Sequence, residues 1–282
     1  MNLPTANQWQ LSALQWCSGP DPTHNVQQIE HLLAELPVAE RHLVVLPECA
    51  LIFAGQDGLQ LQHQEALGQG KWQRQLAYYA KRYNIYLLLG SFPIQSADPS
   101  RFYACSLLFG PTGELLADYQ KLHLFDALVA DSTGSYQESA STKAGTKITL
   151  VSQQQLKLGM TICYDVRFPA LMQQLARMGM NVLAVPSAFT KVTGQAHWHT
   201  LLRARAIENQ CFVVAANQTG LHANGRETFG HSLIIDPYGR VLADAAEGAK
   251  VISVSVDLAE ADRVQRAMPL LHHNRFTSEL KQ

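Results

Sequence analysis

The stretch His42-Leu-Val-Val-Leu-Pro-Glu48 decides the fold class. Its apolar residues run without alternation, as suits a strand covered on both faces, and proline then ends the strand in front of a carboxylate. Strands of that kind belong to α/β sheets. Working outward, similar β-rich runs recur at 10–16, 85–91, 103–109, 115–119, 156–162, 182–186, 211–217, 231–235 and 251–256. Helical period fills intervals at 25–36, 71–83, 169–178, 195–209 and 258–267. Around the third of these, Phe168, Leu171, Met172, Leu175 and Met178 recur three and four apart, and Gly179 follows as a stop. Strand and helix alternate along the chain, so the sequence predicts α/β rather than a segregated α+β fold.

Two internal echoes predict two similar halves within one domain over residues 1–282. Pro111-Thr-Gly-Glu-Leu-Leu-Ala-Asp118 and Pro237-Tyr-Gly-Arg-Val-Leu-Ala-Asp244 agree at five of eight positions, each a hairpin turn opening a strand. Val45-Leu-Pro-Glu48 and Ala184-Val-Pro-Ser187 both end an apolar strand with proline before a polar residue. The offsets, 126 and 139 residues, differ, so this is no strict tandem repeat. Residues 122–144 lack a clear period, and a loop of that length inside a compact domain is functional or disordered.

Composition excludes several function classes. The 282 residues are 47% hydrophobic and 16% charged, and 22 Lys+Arg against 23 Asp+Glu leave a net charge of −1. No overall field draws in nucleic acid or an acidic membrane. The longest apolar runs, 49–54 and 211–216, are far short of the roughly 20 residues a membrane span needs. The first ten residues lack the pattern of a signal peptide, so a cytoplasmic protein is expected. Five cysteines at 17, 49, 105, 163 and 211, with no CxxC, argue against a disulfide framework or a zinc module. On a helix His197 and His199 point about 200° apart and cannot share a metal. No metal and no cofactor are expected.

Three residues stand out chemically. Cys163 ends the run Leu156-Lys-Leu-Gly-Met-Thr-Ile-Cys163, and Tyr164-Asp-Val-Arg-Phe-Pro169 leads into a helix. A thiol on such a turn is expected near free N–H groups and the positive helix start, which favour thiolate and an oxyanion. Glu48 sits at the end of a central strand, where α/β sheets place their ligand crevice and where burial raises a carboxylate toward general-base use. Lys121, in Tyr119-Gln-Lys-Leu-His-Leu-Phe125, also follows a strand end and supplies a cation. The other cysteines, at strands or their ends, are expected to be structural. His123 and His231 are the candidates for a rival Cys–His pair.

In that order and separation, Leu-Pro-Glu-Cys-Ala (46–50), Tyr-x-Lys-x-His-Leu-Phe (119–125) and Cys-Tyr-Asp-x-Arg-Phe-Pro (163–169) resemble the nitrilase superfamily of carbon–nitrogen hydrolases. The resemblance runs to about His272 and implies a Glu48, Lys121 and Cys163 triad, with Glu138 as the family's second glutamate beside the lysine. It further implies a four-layer α-β-β-α sandwich and a homodimer or higher homo-oligomer paired through helices, with 195–209 and its Trp198, Leu201, Leu202 and Ala206 a contributor. The implied chemistry is amide hydrolysis through a thioester, with Lys121 and the Tyr164 backbone N–H holding the oxyanion. The segments 187–190, 193–208 and 218–232 look most like the amidase branch acting on amides of keto acids, deaminated glutathione foremost and 2-oxoglutaramate second. Such an enzyme repairs a damaged metabolite, and an anionic substrate end calls for a cationic or hydrogen-bonding pocket, expected from Arg167, Thr190 and Arg226. An inactive family member serving as a scaffold is the non-enzymatic alternative, which an intact triad disfavours.

Overall fold

A computed structural model describes residues 7–53 and 58–281. Met1–Ala6, most of the segment read for a leader, and Ala54, the end of one apolar run, lie outside them. The first half runs β1 (Gln8–Gln15), α1 (Pro22–Leu33), β2 (His42–Val45), α2 (Leu59–Gln62), α3 (Lys71–Tyr83), β3 (Tyr86–Gln95), β4 (Phe102–Phe109) and β5 (Leu115–Gln120). A small hairpin, β6 (Asp126–Leu128) and β7 (Ser135–Gln137), follows. The second half runs β8 (Leu150–Gln153), β9 (Leu156–Met160), α4 (Pro169–Arg177), β10 (Val182–Ala184), α5 (Lys191–Asn209) and β11 (Phe212–Ala215). A hairpin of β12 (Thr219–Leu221) and β13 (Glu227–Phe229) precedes β14 (Leu233–Ile235) and β15 (Val241–Asp244). Then β16 (Lys250–Asp257) returns to the first sheet, before α6 (Ala259–Ala267) and α7 (Leu270–His273).

Two six-stranded sheets result, ordered β16-β1-β2-β3-β4-β5 and β8-β9-β10-β11-β14-β15. Taken in that order both have one pairing pattern: antiparallel, two parallel steps, then two antiparallel. The echoes fall on equivalent places, the β4–β5 turn against the β14–β15 turn and the end of β2 against the end of β10. Their unequal offsets arise because the β2–β3 crossover carries the additional α2.

The apolar run at 43–46 shows why the layers stack. Leu43 and Val45 point into a core that also takes Leu158, Met160, Val182, Ala184 and Val214 from the other sheet. Val44 and Leu46 point the other way, onto Ile29 and Leu33 of α1 and Leu76 and Tyr79 of α3. In the second sheet Leu183, Val185 and Val213 likewise meet Leu171 and Leu175 of α4 and Trp198 and Leu202 of α5. A strand with apolar neighbours on both faces has no reason to alternate. The fold is the four-layer α-β-β-α sandwich.

Several expectations change in detail. α1 starts at Pro22, with Asp21 capping Thr23 N, and α5 starts at Lys191, each ahead of its periodic stretch. Met178 closes α4 half exposed rather than on its buried face. Trp198, Leu202 and Ala206 pack wholly on their own sheet, which removes them from any partner-facing surface. The aperiodic 122–144 stretch holds the β6–β7 hairpin and a turn of 3-10 helix at Glu138–Ala140. All five cysteines are free.

Candidate active site

The ends of β2, β5 and β9 converge on one cavity. Glu48 follows β2 through Leu46 and Pro47, and three contacts position it. Leu46 N donates to Leu88 O at 2.9 Å, Cys49 N to Ser91 Oγ at 2.8 Å, and Gln218 Nε2 from the other half to the Glu48 carbonyl at 2.9 Å. Gly90 lies at a register shift in β3, where a Cβ would stand 2.1 Å from the Pro47 carbonyl oxygen. No residue with a side chain fits this approach without moving the turn that carries Glu48.

Lys121, 2% exposed, follows β5 directly. Its Nζ donates to Glu48 Oε1 at 2.7 Å and to Glu138 Oε1 and Oε2 at 3.0 and 2.9 Å. Burial works against the ammonium, but the Glu138 and Glu48 carboxylates outweigh it and hold Lys121 well above its ordinary value. Glu138 in turn is raised by burial, against the pull of Lys121, and accepts from Phe125 N at 2.6 Å.

Cys163 carries a left-handed φ of 46°, costly for a residue with a Cβ, and its N–H is held by Pro186 O at 2.8 Å. It opens a 3-10 turn, Cys163–Arg167, and α4 begins only at Pro169. The thiol therefore does not sit on the N-terminus of α4. Nor does its surrounding favour thiolate. Burial first, then the Glu48 carboxylate, push the thiol well up, and Lys121 and the Ala188 N–H only partly offset them. A protonated nucleophile beside a carboxylate needs that carboxylate as its base.

All eight residues singled out in the sequence line this cavity: Glu48, Lys121, Glu138, Cys163, Tyr164, Arg167, Thr190 and Arg226. Their circumstances differ. Thr190 is buried and caps α5, its Oγ1 accepting from Thr193 N at 3.3 Å and bonded to Thr193 Oγ1 at 2.8 Å, so its hydroxyl is occupied within the protein. Arg167 meets His197 Nδ1 at 3.2 Å and lies over Phe189 at 5.2 Å. Arg226 projects from the turn of the β12–β13 hairpin between the Phe53 and Tyr136 rings, at 5.2 and 5.0 Å, and Nη2 donates to Ala188 O. Among the described residues its Nε is buried without a hydrogen-bond partner, while the side chain itself lines the cavity.

Some residues escaped the sequence reading. Asp165, fully buried, accepts from Ile162 N at 2.8 Å, Tyr119 OH at 2.8 Å, His123 N at 3.1 Å and His123 Nδ1 at 2.7 Å. It ties the Lys121 segment to the Cys163 turn, and its place inside Cys-Tyr-Asp was the available signal. His123 is thus bonded to Asp165 and stacked on Phe168 rather than paired with the thiol. His231 faces Asp244 instead, and His197 and His199 have separate partners, Arg167 and Asp244. Cys49 is not merely structural packing: it lines the cavity beside Glu48, with its thiol pushed up to about 12 by burial and the Glu48 charge. Cys17 is exposed just past β1. Phe53 and Tyr136 have no chemical signature in sequence and became visible only around Arg226.

This sandwich, with two carboxylates, a lysine and a cysteine around one cavity, defines a class: residues 10–266 match the carbon–nitrogen hydrolase family, and the chain belongs to it. It is an amide-acting hydrolase of the nitrilase superfamily. Among individual relatives it is 40% identical over 271 residues to deaminated glutathione amidase of Yersinia enterocolitica, covering 96% of this chain and 94% of that one. Among solved structures, the Caenorhabditis elegans NitFhit protein superposes with a TM-score of 0.86 at 35% identity over 95% of this chain. The chain spans 65% of that longer protein. Saccharomyces cerevisiae Nit3, a member of branch 10 of the nitrilase superfamily, gives 0.84 at 31% identity, covering 96% and 97% of the two chains.

Proposed function

We propose that this chain is a cysteine-dependent amidase that hydrolyses deaminated glutathione to 2-oxoglutarate and cysteinylglycine. The observation that carries the reading is one cavity that holds the Glu48–Lys121–Glu138 ion cluster beside Cys163 and the Arg226 guanidinium in its wall. Glu48 takes the Cys163 proton as sulfur attacks the amide carbonyl. Lys121 and the Tyr164 N–H stabilise the oxyanion, and removal of one such donor costs on the order of 10²–10³ in turnover. As the C–N bond breaks, Glu48 returns the proton to the departing dipeptide amine. Glu48 then deprotonates water, which attacks the thioester, and the departing sulfur regains the proton. Glu138 holds Lys121 charged and in place.

Arg226, with Arg167, receives the anionic keto-acid end, while Thr190 shapes the wall through its capping of α5. The substrate identity is supported by the name of the Yersinia enterocolitica relative at 40% identity. The test compares wild type with Cys163→Ala and Arg226→Ala, following 2-oxoglutarate released from deaminated glutathione, with 2-oxoglutaramate and a neutral amide in parallel. Cys163→Ala is expected to abolish every turnover, and Arg226→Ala to raise KM for the anionic substrates alone. Activity unchanged in Cys163→Ala refutes the nucleophile, and equal effects on anionic and neutral amides refute the Arg226 role.

We further infer a single domain over residues 1–282 acting as a cytoplasmic homodimer. Exposed Val192 and Ile207 on α5 support the pairing, and among the described residues no helix is long and apolar enough to cross a membrane. Light scattering on the purified chain and cell fractionation test the two statements.

A further inference from the structure

Outside the cavity, a second cluster gathers residues that amide hydrolysis does not use. His199 on α5, His231 just before β14 and Asp244 at the end of β15 each bring one donor atom within 4.8 Å of the others. Asp244 Oδ2 lies 3.2 Å from His199 Nε2 and 3.2 Å from His231 Nδ1. In a tetrahedral site with bonds of about 2.0–2.1 Å to nitrogen and oxygen, neighbouring donors stand about 3.3 Å apart. Two of the three edges already have that length.

The donors are held from behind. His231 has a left-handed φ of 52°, with its N–H on Ala246 O at 2.7 Å, its carbonyl accepting from Trp198 Nε1 at 2.6 Å, and its ring stacked on Phe229 at 4.6 Å. Asp244 Oδ1 accepts from Ala246 N at 2.7 Å and also lies 3.0 Å from His231 Nδ1, which orients the carboxylate and keeps Oδ2 within 3.2 Å of both rings. Second-side support of this kind is what fixes ligands in metal sites. The three side chains remain 26–38% exposed, so an ion can enter and a fourth position stays open to water.

We propose that His199, His231 and Asp244 bind one divalent transition-metal ion of the zinc or cobalt type. Two imidazoles and one carboxylate suit such borderline cations and not calcium or magnesium, which take oxygen donors. The site serves structure rather than hydrolysis. His231 directly follows the β12–β13 hairpin that carries Arg226, so the ion staples that hairpin to α5 and β15.

The test titrates untagged protein with Co²⁺, followed by displacement with Zn²⁺. One equivalent of cobalt is expected, with tetrahedral d–d absorption, no thiolate charge-transfer band, and a raised melting temperature in the zinc form. His199→Gln and His231→Asn, the latter chosen because asparagine tolerates the left-handed backbone, each weaken binding more than about tenfold. Cys163→Ala leaves binding intact. Absence of saturable binding overturns the proposal, as does undiminished binding in both histidine variants, or a charge-transfer band that Cys163→Ala or Cys17→Ser removes.

Discussion

Replacing Lys121 with methionine separates what the ion cluster does for folding from what it does for chemistry. The ammonium is 2% exposed and satisfies three carboxylate oxygens at 2.7–3.0 Å. Methionine fills much of the volume but leaves Glu48 and Glu138 facing each other without a counter-charge. Breaking a buried ion pair from one side costs about 3–5 kcal/mol, which lowers the melting temperature by roughly 6–20 °C at this size. One carboxyl of the pair must then take up a proton. Its folded-state pKa rises above the unfolded value near 4.3, so the variant loses stability as pH rises through that window. Wild type, whose Lys121 is raised well above its ordinary value, keeps that residue's contribution across neutral pH and loses it only in strong alkali. The double variant Lys121→Met, Glu138→Gln removes one surplus charge and recovers much of the lost stability. It recovers no turnover, because the oxyanion donor proposed for Lys121 is still missing. Thermal melts from pH 4 to 9, with amide turnover of the same samples, read both effects. A Lys121→Met protein with wild-type stability and no new pH dependence refutes the argument, as does a double variant that regains activity.

Three further outcomes follow from particular contacts. Gly90→Ala places a methyl 2.1 Å from the Pro47 carbonyl and displaces the Glu48 turn, so kcat falls by at least about tenfold with little change in KM; an unchanged kcat contradicts the role given to that approach. His42 is buried on Ser12 and His222 between Ser18 O and Thr228, and burial lowers both to about 4. The unfolded chain takes up these protons first, so stability declines as pH falls from about 6.5 to 4, by about 3 kcal/mol per histidine. Denaturant melts of wild type and His42→Gln should show a shallower acid decline in the variant. Asp165→Asn replaces an acceptor of four donors with a group that can keep only some of them, and should cost about 2–4 kcal/mol and slow thioester formation. A variant with intact melting and intact single-turnover acylation argues against Asp165 as the tie between the Lys121 and Cys163 segments.

The fold was legible wherever a short segment carries its own periodicity. Leu43 to Leu46 could be placed between two layers because an unbroken apolar run has no wet face, and the echoes at 111–118 and 237–244 land on equivalent hairpins. Boundaries slipped where capping, not periodicity, sets the start, as at Pro22 and Lys191. The hairpin within 122–144 went unseen because its strands, Asp126–Leu128 and Ser135–Gln137, are too short to show a period.

The sequence by itself determined the α/β class and the two similar halves and singled out Glu48, Lys121 and Cys163 as candidates, since strand ends and motif order are properties of local chain, while Glu138 came only through the family resemblance. Only the tertiary structure decided the state of those groups. Whether Cys163 is thiol or thiolate depends on burial and on a carboxylate from the other half of the molecule, not on the helix that follows it in sequence. The same holds for the Arg226 guanidinium between Phe53 and Tyr136, and for the meeting of His199, His231 and Asp244. Electrostatics and hydrogen bonding act through space over a few ångströms, and contacts between residues far apart in the chain exist only once the sheets have packed.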